Sequence, residues 1–277
     1  MDKNRFVPRL DLKPLDLSRM IMDPNSNTYF ISVTLVNKSG VLASFLDVLK
    51  NYNFNIIGII GEAVTRKEEM EVSIFLETPV KMDRTELEII IKKETNRMKV
   101  VKDVRIFDHF LEGFDADVYH FPLTVEKARV AIFPLTVLEG FIKTVRNAFD
   151  KPISQTILWY QGREVGRTIF ESYERVFGLK GARALEFLRV RALLFGWAYM
   201  ETSKFEELKK TATIRLFDNW ECELFKGSKE PQNHFMRGIL VGFLTGLFGV
   251  ETEAVETKCI AKGDAFCEFV VREKVRH

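Results

Sequence analysis

The stretch ETKCIAKGDAFCEF, Glu256 to Phe269, holds two of the chain's three cysteines on either side of Lys262-Gly263-Asp264. Cys259 and Cys267 flank that trio, and Glu256 stands three residues ahead of the first of them. Gly263 and Asp264 form a turn between two β-rich arms, so the stretch is a hairpin. A metal site, a redox pair and a plain hairpin all fit two cysteines so placed. The rest of the chain has to decide between them.

At 277 residues, two domains are expected. An apolar content of 46% is ample for packed cores, and 29% charged residues suit a soluble surface. With 41 basic against 39 acidic residues there is no global field to draw nucleic acid or anionic lipid. Three cysteines and a polar, proline-punctuated start, MDKNRFVPRLDLKPLDLSRM, point to a reducing cytoplasm and to an amino-terminal arm over residues 1–24. The scarcity of glutamine (Gln155, Gln161 and Gln232 only) hints at a thermophilic source. The most apolar run, GILVGFLTGLFGV at 238–250, is too short to cross a bilayer. Its glycines, Gly238, Gly242 and Gly246, recur every fourth residue along one side of a helix, which is expected to pack tightly on a sheet.

Residues 29–109 alternate legibly. YFISVTLVN reads as a strand, GVLASFLDVLKNYN as a helix, and FNIIGIIGEA and EMEVSIFLET as strands around the charged turn Arg66-Lys67-Glu68. DRTELEIIIKKETN is a helix with Asp83 as N-cap, and VKDVRIFDH closes the set as a strand. The order is βαββαβ, the ferredoxin-like arrangement. Within it, LVNKSGVLASFLDVLKNYNFNI resembles the ACT domain family, with Asn37, Gly40, Val41 and Leu42 at the matching positions and Ser39 in the same turn. The resemblance implies an ACT domain over 25–112, homodimerisation, and an amino acid or small acid held at the Asn37–Leu42 turn. Gly40 permits a tight turn there, and amides at a helix start can hold a carboxylate. A turn that serves the fold alone is the alternative.

Residues 110–120, FLEGFDADVYH, read as the link to a second domain over 113–277. There EKARVAIFP and ISQTILWY read as strands with the helix TVLEGFIKTVRNAF between them. GREVGRTIFESYERVFG and ARALEFLRVRALLFG read as helices and KTATIRLFDNWECELF as a strand. A long helix from about Pro231 to Phe248 and the hairpin complete the chain, giving an α+β protein.

NHFMRGILVGFLTGLFG followed by VETKCIAKGDAFCEFVV resembles the 4-vinyl reductase domain family. Arg237, Gly238, Gly242, Cys259, Lys262, Gly263, Asp264, Cys267 and Phe269 carry the likeness. It implies an α/β domain around an apolar small-molecule pocket, as in aromatic-responsive transcription activators and archaeal two-domain regulatory proteins, with kinship to transport-particle subunits. In the aromatic sensors a Cys, a Glu and two further Cys hold zinc. Glu256, Cys259 and Cys267 match the last three, but Asn233 stands at the first position. His234 or Cys222 would have to complete the set. Because of Asn233 the expectation is a hairpin without metal, with zinc as the alternative cofactor.

Trp159, Trp220 and Phe235 are candidates to line the apolar pocket. No nucleophile elbow, phosphate loop or His-Glu-x-x-His appears, which turns the reading away from an enzyme. His120 in YHFP is assigned a capping or packing role, and Glu206 and Glu207 a solvated helical face. The expected function is a ligand-responsive regulator that binds small molecules in both domains and acts through a protein partner. Direct contact with nucleic acid or membrane is not expected. An enzyme acting on a hydrophobic substrate and an assembly scaffold are the alternatives.

Overall fold

The structure, a computed structural model, describes residues 11–17, 19–25, 27–61, 68–109, 113–125 and 128–275. Most of the expected amino-terminal arm, Arg66 and Lys67 of the charged turn, residues 110–112 of the expected link, and His277 lie outside the described residues. The chain divides into two compact units, Leu12–Val130 and Ala131–His277.

The first unit runs β1 (Met20–Met22), β2 (Thr28–Val36), α1 (Val41–Asn51), β3 (Asn55–Gly61), β4 (Glu69–Glu77), α2 (Arg84–Thr95), β5 (Val101–Phe107), β6 (Phe114–Ala116), β7 (Thr124–Val125) and β8 (Ala128–Arg129). Four strands form an antiparallel sheet in the order β3-β4-β2-β5. α1 buries Val41, Phe45 and Leu49, a four-residue spacing that keeps one stripe on the sheet. α2 begins with a capping box: Asp83 accepts from the Glu86 N–H at 2.9 Å, and Glu86 accepts from the Asp83 N–H at 3.0 Å.

β2 is buried along nearly its whole length, because both of its faces are covered. Ile31, Val33 and Leu35 join the core beneath the helices. Phe30, on the opposite face, meets Phe75, Phe107 and His120. Residues 114–120 supply part of that second cover, so this stretch is built into the first unit and does not serve as a link. β6 pairs with β1, and buried Asp115 accepts from Thr28 and lies 2.8 Å from His109. His120 is held by Asp117 at 2.9 Å, which agrees with a packing role. The first unit therefore continues past residue 112 to Val130.

The second unit runs α3 (Leu135–Ala148), α4 (Lys151–Phe177), α5 (Gly181–Leu194), β9 (Tyr199–Glu206), β10 (Thr211–Phe217), α6 (Trp220–Glu223), α7 (Phe235–Phe248), β11 (Thr252–Lys258) and β12 (Cys267–Glu273). Its antiparallel sheet has the order β11-β12-β10-β9. ISQTILWY is helical, the first part of α4, and not a strand. The buried positions Ser154, Leu158, Gly162, Gly166, Ile169, Phe170 and Tyr173 show the helical stripe. Half of that stripe is small or polar, so hydropathy alone hides it. Of EKARVAIFP only Ala128 and Arg129 are extended among the described residues. KTATIRLFDNWECELF stops being a strand at Phe217 and turns into α6, and Glu206 and Glu207 lie at the end of β9 and in a short 3-10 turn.

α7 is apolar nearly all round, as a helix enclosed by protein must be. Its glycine edge faces α4, where a sheet contact was expected. A Cβ at Gly238 or Gly242 would overlap the carbonyls of Trp159 or Arg163, and one at Gly162 or Gly166 those of Phe235 or Ile239. The sheet takes another side of the helix, with the Thr252 hydroxyl donating to the Val241 carbonyl at 3.1 Å.

Candidate metal centre and the residues around it

The β11–β12 connection makes its own geometry. After Cys259 the chain enters a 3-10 turn, and Gly263 ends it at φ +98°, a conformation that favours glycine. Asp264 closes the loop by accepting from the Cys259 N–H at 2.8 Å. Cys267 then opens β12 opposite Leu216 of β10. β10 ends at Phe217, Asp218 takes a positive φ of 50°, and Asn219 starts α6 by accepting from the Glu221 N–H at 3.2 Å. That reversal carries Cys222 over the hairpin.

Cys222, Glu256, Cys259 and Cys267 come together, their donor atoms all within 4.8 Å of one another. The Cys222 and Cys259 sulfurs are 3.2 Å apart, and all three thiols are fully buried and free of disulfides. Tetrahedral zinc with Zn–S bonds of ~2.3 Å needs sulfur donors about 3.8 Å apart, so this cluster fits such an ion after shifts of well under an ångström. Three thiols and one carboxylate are also a soft donor set that suits zinc.

The protonation pattern reflects a crowded, dry cluster. Hydrogen bonds from the Cys222 and Cys259 thiols push Cys267 down to about 4. The same contacts push Cys222 up. Burial raises Glu256 to about 8, against a hydrogen bond from Asn233 that opposes the rise. One thiolate is therefore favoured and its neighbours keep their protons. A divalent cation removes that conflict, because ligands bind it deprotonated.

His234, offered above as a ligand, is not among the four donors. Its ring is buried, with no hydrogen-bond partner on either nitrogen among the described residues. Burial, with the charges of Arg237, Arg146 and Lys151, lowers its pKa to about 3. Asn233 stands beside the cluster and donates to Glu256. Sequence reading passed over Glu221, which is fully buried. Its carboxylate accepts from the N–H groups of His234, Phe235 and Met236 at 2.9, 3.0 and 2.8 Å, bolting α6 to the start of α7. The one signal for it was an acidic residue within an otherwise strand-like run.

Of the three aromatic candidates, two meet: Trp220 and Phe235 lie edge to face at 6.1 Å. Trp159 sits on α4 against Tyr160 and Arg163. A pocket of about 780 Å³ opens elsewhere in this unit, at Thr245, Gly249–Glu251 and Glu273–Val275. In the first unit, Gly40 heads α1 at φ +82° with open space where a Cβ would lie, and the helix has no side-chain cap. Asn37, Ser39, Gly40, Val41 and Leu42 do lie in one turn, tied by the Asn37 N–H to the Glu68 carbonyl at 2.7 Å.

The hairpin, the sheet around it and α6–α7 are the region that comparison recognises. The chain carries a 4-vinyl reductase domain over residues 212–273. All four donors lie inside that segment. Two uncharacterized proteins of Methanocaldococcus jannaschii are 28% identical over 118 residues and 27% identical over 97. Those stretches cover 43% and 35% of this chain and 64% and 60% of the relatives, so the chain spans less than two thirds of the curated relatives it matches. A similar solved structure is the phenol-responsive sensory domain of the transcription activator PoxR with phenol. It is 12% identical with a TM-score of 0.49, over 54% of this chain and 79% of that one.

Proposed function

We propose that this chain is a two-module, ligand-responsive regulatory protein that acts as a homodimer. The 4-vinyl reductase domain match over 212–273 carries the reading. In the second module an apolar or aromatic molecule is bound near Trp220 and Phe235, with Trp159 in support. In the first module, an ACT-like unit, an amino acid or small acid is held at the Asn37–Leu42 turn. The uncapped start of α1 and the open space beside Gly40 favour a carboxylate there. Cys222, Glu256, Cys259 and Cys267 would hold zinc, which when bound supplies a cross-link and no redox chemistry. That cross-link ties α6 to the hairpin, and the four side chains leave no open coordination position for catalysis.

Native mass spectrometry of gently purified protein tests the reading. A retained apolar small molecule on a dimer is expected. A bound redox cofactor would point to an enzyme, and an empty dimer to a scaffold. For the first module, a thermal-shift screen of amino acids is expected to find a stabilising ligand whose effect disappears in Gly40→Val. At φ +82° valine costs about 1–3 kcal/mol of local strain. If no amino acid stabilises the parent, the turn serves the fold alone.

A further inference from the structure

We infer that Asn233 is a positioning residue of the metal site, acting with Asn219 through Glu256; this rests on the metal reading above. Both asparagines are fully buried. A buried amide without partners is costly, so the partners of these two report what they are for. Asn233 donates through Nδ2 to Glu256 Oε1. Asn219 donates through Nδ2 to the Asn233 carbonyl oxygen, and the same nitrogen stands 3.9 Å from Cys267 Sγ. The Asn219 Oδ1 caps α6, the helix that presents Cys222. One two-residue relay thus touches three of the four donors.

The relay is rigid because its backbone is anchored on both sides. Asn219 precedes α6 and Asn233 stands just ahead of α7. The Glu221 carboxylate fastens those two helix starts together through three backbone N–H groups. Neither asparagine can move without disturbing that joint. For Glu256 the consequence is directional. With Oε1 engaged by Asn233, Oε2 is the oxygen left to face the thiols, so the carboxylate is set to bind through one oxygen. Outer-shell donors of this type orient ligands that would otherwise sample several rotamers.

The test uses the full chain, with zinc affinity measured by chelator competition and the cobalt form by absorption. Asn233→Ala is expected to weaken zinc by roughly 10–100-fold, as loss of an outer-shell partner does. Its cobalt form should keep thiolate-to-cobalt charge-transfer absorption and change its ligand-field bands, because the oxygen ligand alone is disturbed. In a Glu256→Gln background the same substitution should change affinity by less than about twofold, since the relay then has nothing to orient. Asn233→Leu, close in shape and unable to donate, should behave alike and stands in if the alanine variant does not fold. Unchanged affinity and cobalt bands in Asn233→Ala, or an equal loss in both backgrounds, would overturn the inference and leave the metal reading intact. A parent protein that takes up neither zinc nor cobalt would sink the metal reading itself.

Discussion

Cys222 is the residue on which the site turns, because its thiol supplies the fourth donor among three that the hairpin brings by itself. Cys222→Ser is expected to cut zinc content well below one equivalent per chain and to lower the melting temperature sharply, as loss of a structural ion does. Elemental analysis of protein purified without chelators, beside a melting curve, checks both. A drop in stability of only about 1–3 kcal/mol, with the parent free of zinc, would mean a simple buried polar swap. His234 makes a separate prediction. Its folded pKa of about 3 lies below the ordinary 6.5, so the fold favours the neutral ring. That stability is complete above pH 6.5 and is lost as pH falls from 6.5 toward 3, by up to about 1.4 kcal/mol per pH unit. Urea unfolding of parent and His234→Gln at pH 7, 5.5 and 4.5 should show the variant gaining on the parent as pH falls. A difference that stays constant with pH would rule this out.

At the scale of elements, the α4–α7 contact is the one least open to substitution. Two helices approach there until carbonyls of one occupy the space where Cβ atoms of the other would be. Gly242→Ala must push the Arg163 backbone away, and the expected cost is about 1–3 kcal/mol or more. Gly140 in α3 is the control. It has open space around it and an ordinary helical φ, so Gly140→Ala is expected to stabilise by about 0.5–1 kcal/mol. Calorimetry on both variants decides whether close approach or mere helix propensity governs these glycines. The glycine spacing in α7 was legible as a helix edge, but its partner was not. α4 read as a strand across ISQTILWY because glycine and serine on its buried stripe carry no hydropathy signal.

For the whole molecule, homodimerisation is expected through the first unit. β3 lies at the edge of its sheet, with Ile57 45% and Ile59 52% exposed on it. An open, apolar edge strand invites pairing with a second copy. Sedimentation of the full chain should show a dimer at micromolar concentration, and Ile59→Lys should shift it toward monomer, since a charge on the edge opposes pairing. A monomer at high micromolar concentration in the parent would contradict this.

What the sequence determined by itself is local. Asp83 and Glu86 cap α2 from within one turn, and Gly263 with Asp264 closes the hairpin across five residues. The spacing of Glu256, Cys259 and Cys267 places three donors at one end of that hairpin. Only the tertiary structure brought in Cys222, from 37 residues away. It arrives because β10 lies beside β12 and reverses at Asp218 directly after the residue pair Leu216–Cys267. Asn219, Glu221 and Asn233 join for the same reason. Periodicity records which face of an element a side chain occupies, whereas the choice of neighbouring strand or helix depends on the packing energy of the whole sheet and its covering helices.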